Sequence, residues 1–532
     1  MKIIFLLISG DNVILKGMKE MSKNKQLIIN MSASLLSCLV SLGISFLITP
    51  TVIDKLGAEA QGFISMANNF VSYAAIMAMA LNSMAGRFIT VKIHQNDTDG
   101  ANRYFNSVMY GNLAIVAILL VPCSAVVFYL EKLVNISPEL VSDVKLLFCT
   151  MFLNFMVTIV STTFSTATFA ANRLDLSALR TIESQILKAG LLVAAFTLLP
   201  IRVSYIGIAT LIANIYLFFT YIHYTKKLLP QIEISRKHFR SKTVLEIMSA
   251  GIWNTVMRAG QALTNQLDVL IANLLIGKAA SGYIGTAGQI VVSVNTLYET
   301  ISAVFTPSLT ISYAKDNKEE LTSDLKSAMK LTGFFANIPL CFILGFGMSF
   351  YYLWLPSQRD ILHVYYYLTV VIMMGALAGG AISPLFNVYT IVNKLKWNSL
   401  VTLIMGLMNA GIVFLLLGIP ALRPYGIYFV AGVSSVLGII KNLTFTPLYA
   451  AHCLELPKKT FYPTIVRYLA VTAFMSVVFV ILGKLIPTES WGMIVVDILI
   501  CGIVGSVINF LFLFEKKEKA IFVDTVRKVV RR

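Results

Sequence analysis

Fourteen apolar stretches constrain this chain more than any other feature. They run over 27–49, 62–85, 104–130, 144–170, 177–200, 203–224, 246–276, 280–305, 328–353, 361–388, 397–417, 424–450, 463–486 and 491–514. A helix rises about 1.5 Å per residue, so some twenty residues cross a hydrocarbon core of about 30 Å. Only 13% of the 532 residues are charged and 57% are hydrophobic, whereas soluble proteins average about 25% charged. The predicted fold is an all-α integral membrane protein of about 14 transmembrane helices.

The basic residues set its orientation. Arg87, Lys92 and Arg103 follow the second stretch, Arg173 and Arg180 the fourth, and Lys226, Lys227, Arg236, Lys237, Arg240 and Lys242 the sixth. Lys315, Lys318, Lys326 and Lys330 follow the eighth, Lys394 and Lys396 the tenth, Lys458 and Lys459 the twelfth. Odd-numbered stretches are followed by few. This alternation predicts both termini in the cytoplasm. The net charge of +17 then reports loops beside anionic lipid rather than a nucleic-acid partner. Residues 1–17 precede Met18 and Met21 and are read as an upstream start-site extension or a short interfacial segment, not a crossing. The cysteines and histidines are scattered without ligand spacing, so neither a disulfide framework nor a metal centre is expected. No loop is long enough to fold as a domain, which argues against an enzyme.

The stretch Glu246 to Gly277 carries Asn254, Arg258, Gln261, Asn265 and Asp268. On one continuous helix these fall within an arc of roughly 80°. A helix-packing seam held by hydrogen bonds would explain amides there. An Arg and an Asp are costly glue at membrane depth and favour a hydrated cavity.

Leu56-Gly57-Ala58-Glu59-Ala60-Gln61-Gly62-Phe63-Ile64 resembles Ile276-Gly277-Lys278-Ala279-Ala280-Ser281-Gly282-Tyr283-Ile284 at an offset of 220 residues. Asn172-Arg173-Leu174 matches Asn393-Lys394-Leu395 at 221. An even number of spans separates the copies, which predicts two six-helix lobes in parallel pseudo-repeat plus two C-terminal helices. The expected divisions are a cytoplasmic segment 1–26, an N-lobe 27–224, a basic inter-lobe loop 225–245, a C-lobe 246–450, a helix pair within 451–514 and a basic cytoplasmic tail 515–532. The repeat sets Ser34, Ser41 and Ser45 of the first stretch, with Asn30 and Ser37 on the same arc, opposite the polar positions of the seventh. That correspondence suits a cleft between lobes. Asn68 in the second stretch and Gln289 in the eighth add polar lining, and Lys188 and Lys441 lie deep in theirs. Arg87 reads either as a snorkelling anchor or as a cavity cation. Asp268 and Glu299 are the candidate ion-coupling acids, exchanging a proton or sodium ion.

Twelve-plus-two spans in parallel repeat resemble the multidrug/oligosaccharidyl-lipid/polysaccharide exporter superfamily. Leu56-Gly57 through Ile64, Arg87, Asn393-Lys394, and Asn409 to Leu417 with Tyr425-Gly426-Ile427 are most similar to its oligosaccharide-lipid flippases of the O-antigen type. The resemblance implies an exporter fold and ion-driven alternating access in the bacterial cytoplasmic membrane. It implies as substrate an undecaprenyl-diphosphate-linked oligosaccharide, with glycan polymerase or export machinery as partners. It needs no cofactor beyond a proton or sodium gradient. A diphosphate with sugars cannot cross hydrocarbon unaided, so a cationic, hydrogen-bonding cavity is expected. Arg258 would hold the diphosphate, helped by Lys188, Lys441 and Arg87. Asn254, Gln261, Asn265, Asn68, Gln289 and the serines would meet sugar hydroxyls. The rivals are a multidrug exporter, which would favour an acidic cavity, a peptidoglycan lipid-precursor flippase, and a membrane polymerase or ligase, which would need a sizeable external loop.

Overall fold

The computed structural model describes residues 23–314, 317–515 and 519. The expectations for Met1, Met18 and Met21, and for most of the 1–26 and 515–532 segments, lie outside the described residues.

The described residues form helices and no strands. In order, α1 is Lys23–His94, α2 Thr98–Phe128, α3 Val141–Ala170, α4 Leu174–Leu198, α5 Ser204–Leu228, α6 Ser241–Asn265, α7 Leu267–Leu275 and α8 Lys278–Val304. The second half of the chain continues with α9 Lys318–Trp354, α10 Leu362–Gly379, α11 Ser383–Ile391, α12 Leu395–Gly418, α13 Gly426–Leu443 and α14 Phe445–Cys453. The pair α15 Tyr462–Leu485 and α16 Trp491–Phe512 closes the fold.

Among the described residues, eleven helices are long and apolar enough to cross a membrane by length and composition. The fourteen expected stretches all fall on helix. The first two share α1, and those of α6–α7 and α8 carry too many polar groups to count among the eleven. The 72 residues of α1 break at Gly57, whose φ of +83° lies in the left-handed region that glycine enters without penalty.

The repeat is visible in the backbone. Asn172 and Asn393 both adopt φ +54° just past a helix end. In each, the next residue's N–H closes the helix, Arg173 onto Thr168 O at 2.7 Å and Lys394 onto Tyr389 O at 2.9 Å. Asp97 and Asn317, 220 residues apart, both cap the following helix through their side chains. The matched tripeptides are thus helix-stop signals, and Asn serves because it tolerates the left-handed conformation.

Contact between the halves is close because small residues line it. A Cβ on Gly282 would sit 1.9 Å from Ala58 O, and one on Gly62 2.2 Å from Ser281 Oγ. A Cβ on Gly251 would sit 2.0 Å from Ala80 O, bringing α6 against the second part of α1. At the end away from the basic loops, Asn135 and Asn273 clasp. Asn135 N donates to Asn273 Oδ1 at 2.9 Å, and Asn273 Nδ2 donates to Asn135 O at 3.2 Å. Ser137 donates twice to Glu59 at 2.8 Å, and Lys278 donates to Ser137.

The pair α15–α16 docks on α9. Gly345 and Gly483 let those backbones touch. Asn337 and Asn509 donate to each other at 3.0 and 2.9 Å, wholly buried. Where the chain leaves the membrane, the buried Lys330 ammonium holds the Glu515 carboxyl below the usual carboxylate range. Asn337→Leu or Asn509→Leu alone leaves one amide unpaired in hydrocarbon and is expected to cost about 1–2 kcal/mol. The double variant should cost less than the sum of the singles in detergent unfolding. Additive losses would show the two amides to be uncoupled.

Candidate functional site

The polar stretch 246–277 is not one helix. It breaks at Gln266, between α6 and α7. A break frees backbone carbonyls, which must find donors at membrane depth. Asn409 Nδ2 donates to Leu263 O and Thr264 O at 3.2 and 3.3 Å. Asn69 Nδ2 and the Tyr73 hydroxyl donate to Gln266 O at 2.8 and 2.7 Å. The single polar face read from the sequence is therefore divided. Asn254 donates to Ser83 Oγ at 3.3 Å in the seam between halves. Gln261 and Asn265 turn to open space, and Asp268 stands buried on the short α7.

Two cavities with polar groups set among apolar walls adjoin beside this break, at Asn265. The first, about 470 Å³, lies between the halves. Ser41, Ser45, Thr49, Asn68 and Asn69 of α1 line it, with Gln185 and Lys188 of α4, Asp268 of α7 and Gln289 of α8. The second, about 510 Å³, is lined by Gln261, Glu299, Asn398, Thr402 and Lys441 among others. Asn265, Asn295 and Ser434 line both.

Gln289 spans the seam between α1 and α8, accepting from Thr49 Oγ1 and donating to Ser45 Oγ, each at 3.0 Å. Asp268 Oδ2 accepts from Ser434 Oγ at 3.4 Å. Its Oδ1 and the Oδ1 of Asn409 are buried with no hydrogen-bond partner. Lys441 Nζ donates to Thr402 Oγ1 at 2.6 Å and lies 5.7 Å from the centre of the Phe386 ring.

The sequence-predicted residues divide accordingly. Ser41, Ser45, Asn68, Gln289, Lys188 and Asp268 meet in the first cavity, Gln261, Glu299 and Lys441 in the second, and Asn265 in both. Ser34, Arg87, Asn254 and Arg258 are not among the linings. Arg87 is exposed and Arg258 half-buried, close enough to Glu299 to act on it through its charge. Asn30 turns away from the cleft and caps α4, accepting from Asp175 N at 3.0 Å and donating to Asn172 O at 3.1 Å. Each cavity thus carries one lysine and one carboxylate rather than a net cationic lining.

Sequence reasoning passed over Gln185, Asn295, Asn398 and Ser434. Helical spacing carried part of the signal, since Gln185 shares a face with Lys188, and Asn295 with Glu299. Asn398 and Ser434 needed the packing of α12 and α13 against α6 and α8.

A bundle of membrane-length helices around a buried polar chamber defines a multi-pass membrane protein of transporter architecture. The chain belongs to the polysaccharide biosynthesis protein family, whose sequence pattern matches residues 27–312, over half its length. It is 28% identical over 505 residues to the uncharacterized membrane protein EpsK of Bacillus subtilis (strain 168), covering 94% of this chain and 98% of that one. Its fold is similar to that of the lipid II flippase MurJ in an inward closed conformation, at TM-score 0.66 and 18% identity over 94% of this chain and 100% of the other. It is also similar to an inward-facing multidrug resistance MATE family transporter of the MOP superfamily, at TM-score 0.64 and 14% identity over 81% and 99%. With both of these solved structures the likeness is one of fold.

In a variant lacking the native cysteines, thiols introduced at Ser41, Asn265 and Gln261 should react with a water-soluble maleimide at least about tenfold faster than one at Asn112. Asn112 is fully buried and bonded to Asn82, Ile159 O and Thr163. Equal rates would show the chamber to be dry.

Proposed function

We propose that the protein is a flippase that carries a lipid-diphosphate-linked oligosaccharide from the cytoplasmic to the outer leaflet of the bacterial cytoplasmic membrane. The observation that carries this reading is the chamber between the halves, where Lys188 and Asp268 share one lining of hydroxyls and amides. Lys188 is the diphosphate's cation there. While Asp268 is ionised, it opposes Lys188 and disfavours an anionic headgroup. Once Asp268 takes a proton or is covered by a sodium ion, Lys188 is unopposed and the headgroup is favoured. The orphaned acceptors of Asp268 and Asn409 suit either occupant. Ion and substrate would then travel together in one state of the carrier, a coupling that is reciprocal by linkage.

Rocking of the two halves alternates access. The clasp of Asn135 on Asn273 and the bonds around Glu59 join the halves at one end; on this reading that end is the outer gate, and the headgroup enters from the basic, cytoplasmic end. The lipid tail stays in the bilayer. No bond is made or broken, so the protein is a carrier and not an enzyme. Glycan polymerase and export machinery would take up the product.

Lys188→Met should slow flipping of an undecaprenyl diphosphate saccharide in proteoliposomes by about tenfold or more, as expected for loss of one charge-assisted contact. Arg258→Ala should reduce it less, because Arg258 stands outside the linings. Asp268→Asn should remove the response to a proton or sodium gradient while leaving the headgroup bound. Full transport by Lys188→Met would overturn the reading.

A further inference from the structure

The second cavity differs from the first in the source of its walls and in the aromatic rings among them. All its lining lies between Met257 and Asn442, so the second half of the chain builds it alone. Its polar groups are six carboxamides (Gln261, Asn265, Asn295, Asn387, Asn398 and Asn442), seven serine and threonine hydroxyls, the Tyr298 phenol, and one charge of each sign, Lys441 and Glu299. Two planar faces, Tyr298 and Phe386, stand among them. At about 510 Å³ it falls within the range that encloses a small ligand.

Two of these amides are incomplete. Asn398 is 2% exposed, and its Oδ1 has no hydrogen-bond partner. The Oδ1 of Asn295, on the wall shared with the first cavity, is buried without a partner too. Buried carbonyl oxygens are normally satisfied, and these call for a ligand that donates. The Lys441 ammonium offers the complement. Its bond to Thr402 and its place over the Phe386 ring fix it as one corner of the cavity, and an ammonium has three donors, of which Thr402 uses one. A ligand both donating and accepting through neutral groups, with an apolar face to lay on a ring, is a saccharide.

We infer that this cavity is a saccharide subsite, distinct from the chamber that takes the diphosphate. Its shared wall at Asn265, Asn295 and Ser434 lets one ligand occupy both, with the diphosphate at Lys188 and the first sugar against Asn295 and Asn398. The inference rests on the flippase reading and adds a residue-level source of selectivity for the sugar.

The test uses the full chain in nanodiscs and two probes, undecaprenyl diphosphate and the same lipid bearing one N-acetylglucosamine. The wild type should bind the sugar-bearing lipid about tenfold more tightly. Asn398→Leu, at a residue that lines the second cavity and not the first, should remove most of that difference while binding bare undecaprenyl diphosphate within about twofold of wild type, which also shows that it folds. If the leucine variant does not fold, Asn398→Ser carries the same expectation. A wild type that does not distinguish the probes, or variants that lose both equally, would overturn the subsite and leave the flippase reading standing. A wild type that binds neither probe would overturn the flippase reading, and the subsite with it.

Discussion

A carbonyl released from a helix inside hydrocarbon must be met by protein or by a water-filled cavity. The break at Gln266 releases several. Asn409 comes from α12 to meet Leu263 and Thr264, and Asn69 and Tyr73 come from α1 to meet Gln266. These four partnerships join elements of both halves at one point. Both cavities open there, and Asp268 begins the short helix beyond it. The broken helix is therefore the junction of the fold, and its satisfied carbonyls make a polar chamber affordable at membrane depth.

The same constraint governs the rest of the bundle. Buried amides work in closed pairs, Asn82 with Asn112 and Asn337 with Asn509. Elsewhere glycines and serines bring backbones together, as at Gly62, Gly251 and Gly282. Closed pairs hold helices without exposing polarity to lipid. Buried side-chain oxygens without a partner occur at several places in the bundle, Tyr365 and Asp497 among them, and those of Asp268, Asn409, Asn295 and Asn398 form one cluster. They gather where α6, α7, α8, α12 and α13 meet, which is where a transported molecule would complete them.

Electrostatics divides the chamber as well. Lys188 and Asp268 share one cavity, Lys441 and Glu299 the other. Each pairing lets the net charge be reset by one proton or ion, which a purely cationic chamber would not allow. Arg258 and Arg87, the cations most conspicuous along the chain, stand outside both linings.

Much of the fold was legible in the sequence, because hydrocarbon imposes a local rule. Apolar length marks helices, basic residues mark one side, and Asn172 and Asn393 mark equivalent helix ends through a conformation set by one residue. Part of the site was legible for the same reason: Ser41, Ser45, Asn265 and Asp268 are polar where lipid forbids it. The break at Gln266 was not legible, since neither Gly nor Pro marks it among its weak helix formers Thr264, Asn265 and Asp268, and its stability comes from Asn409, Asn69 and Tyr73, distant in the chain. Nor could periodicity tell that Asn254 and Asn30 serve packing and capping while Asn295 and Asn398 face the cavity. An amide has the same character on any face. What it does is decided by the partner that tertiary packing brings, or fails to bring, within hydrogen-bond reach.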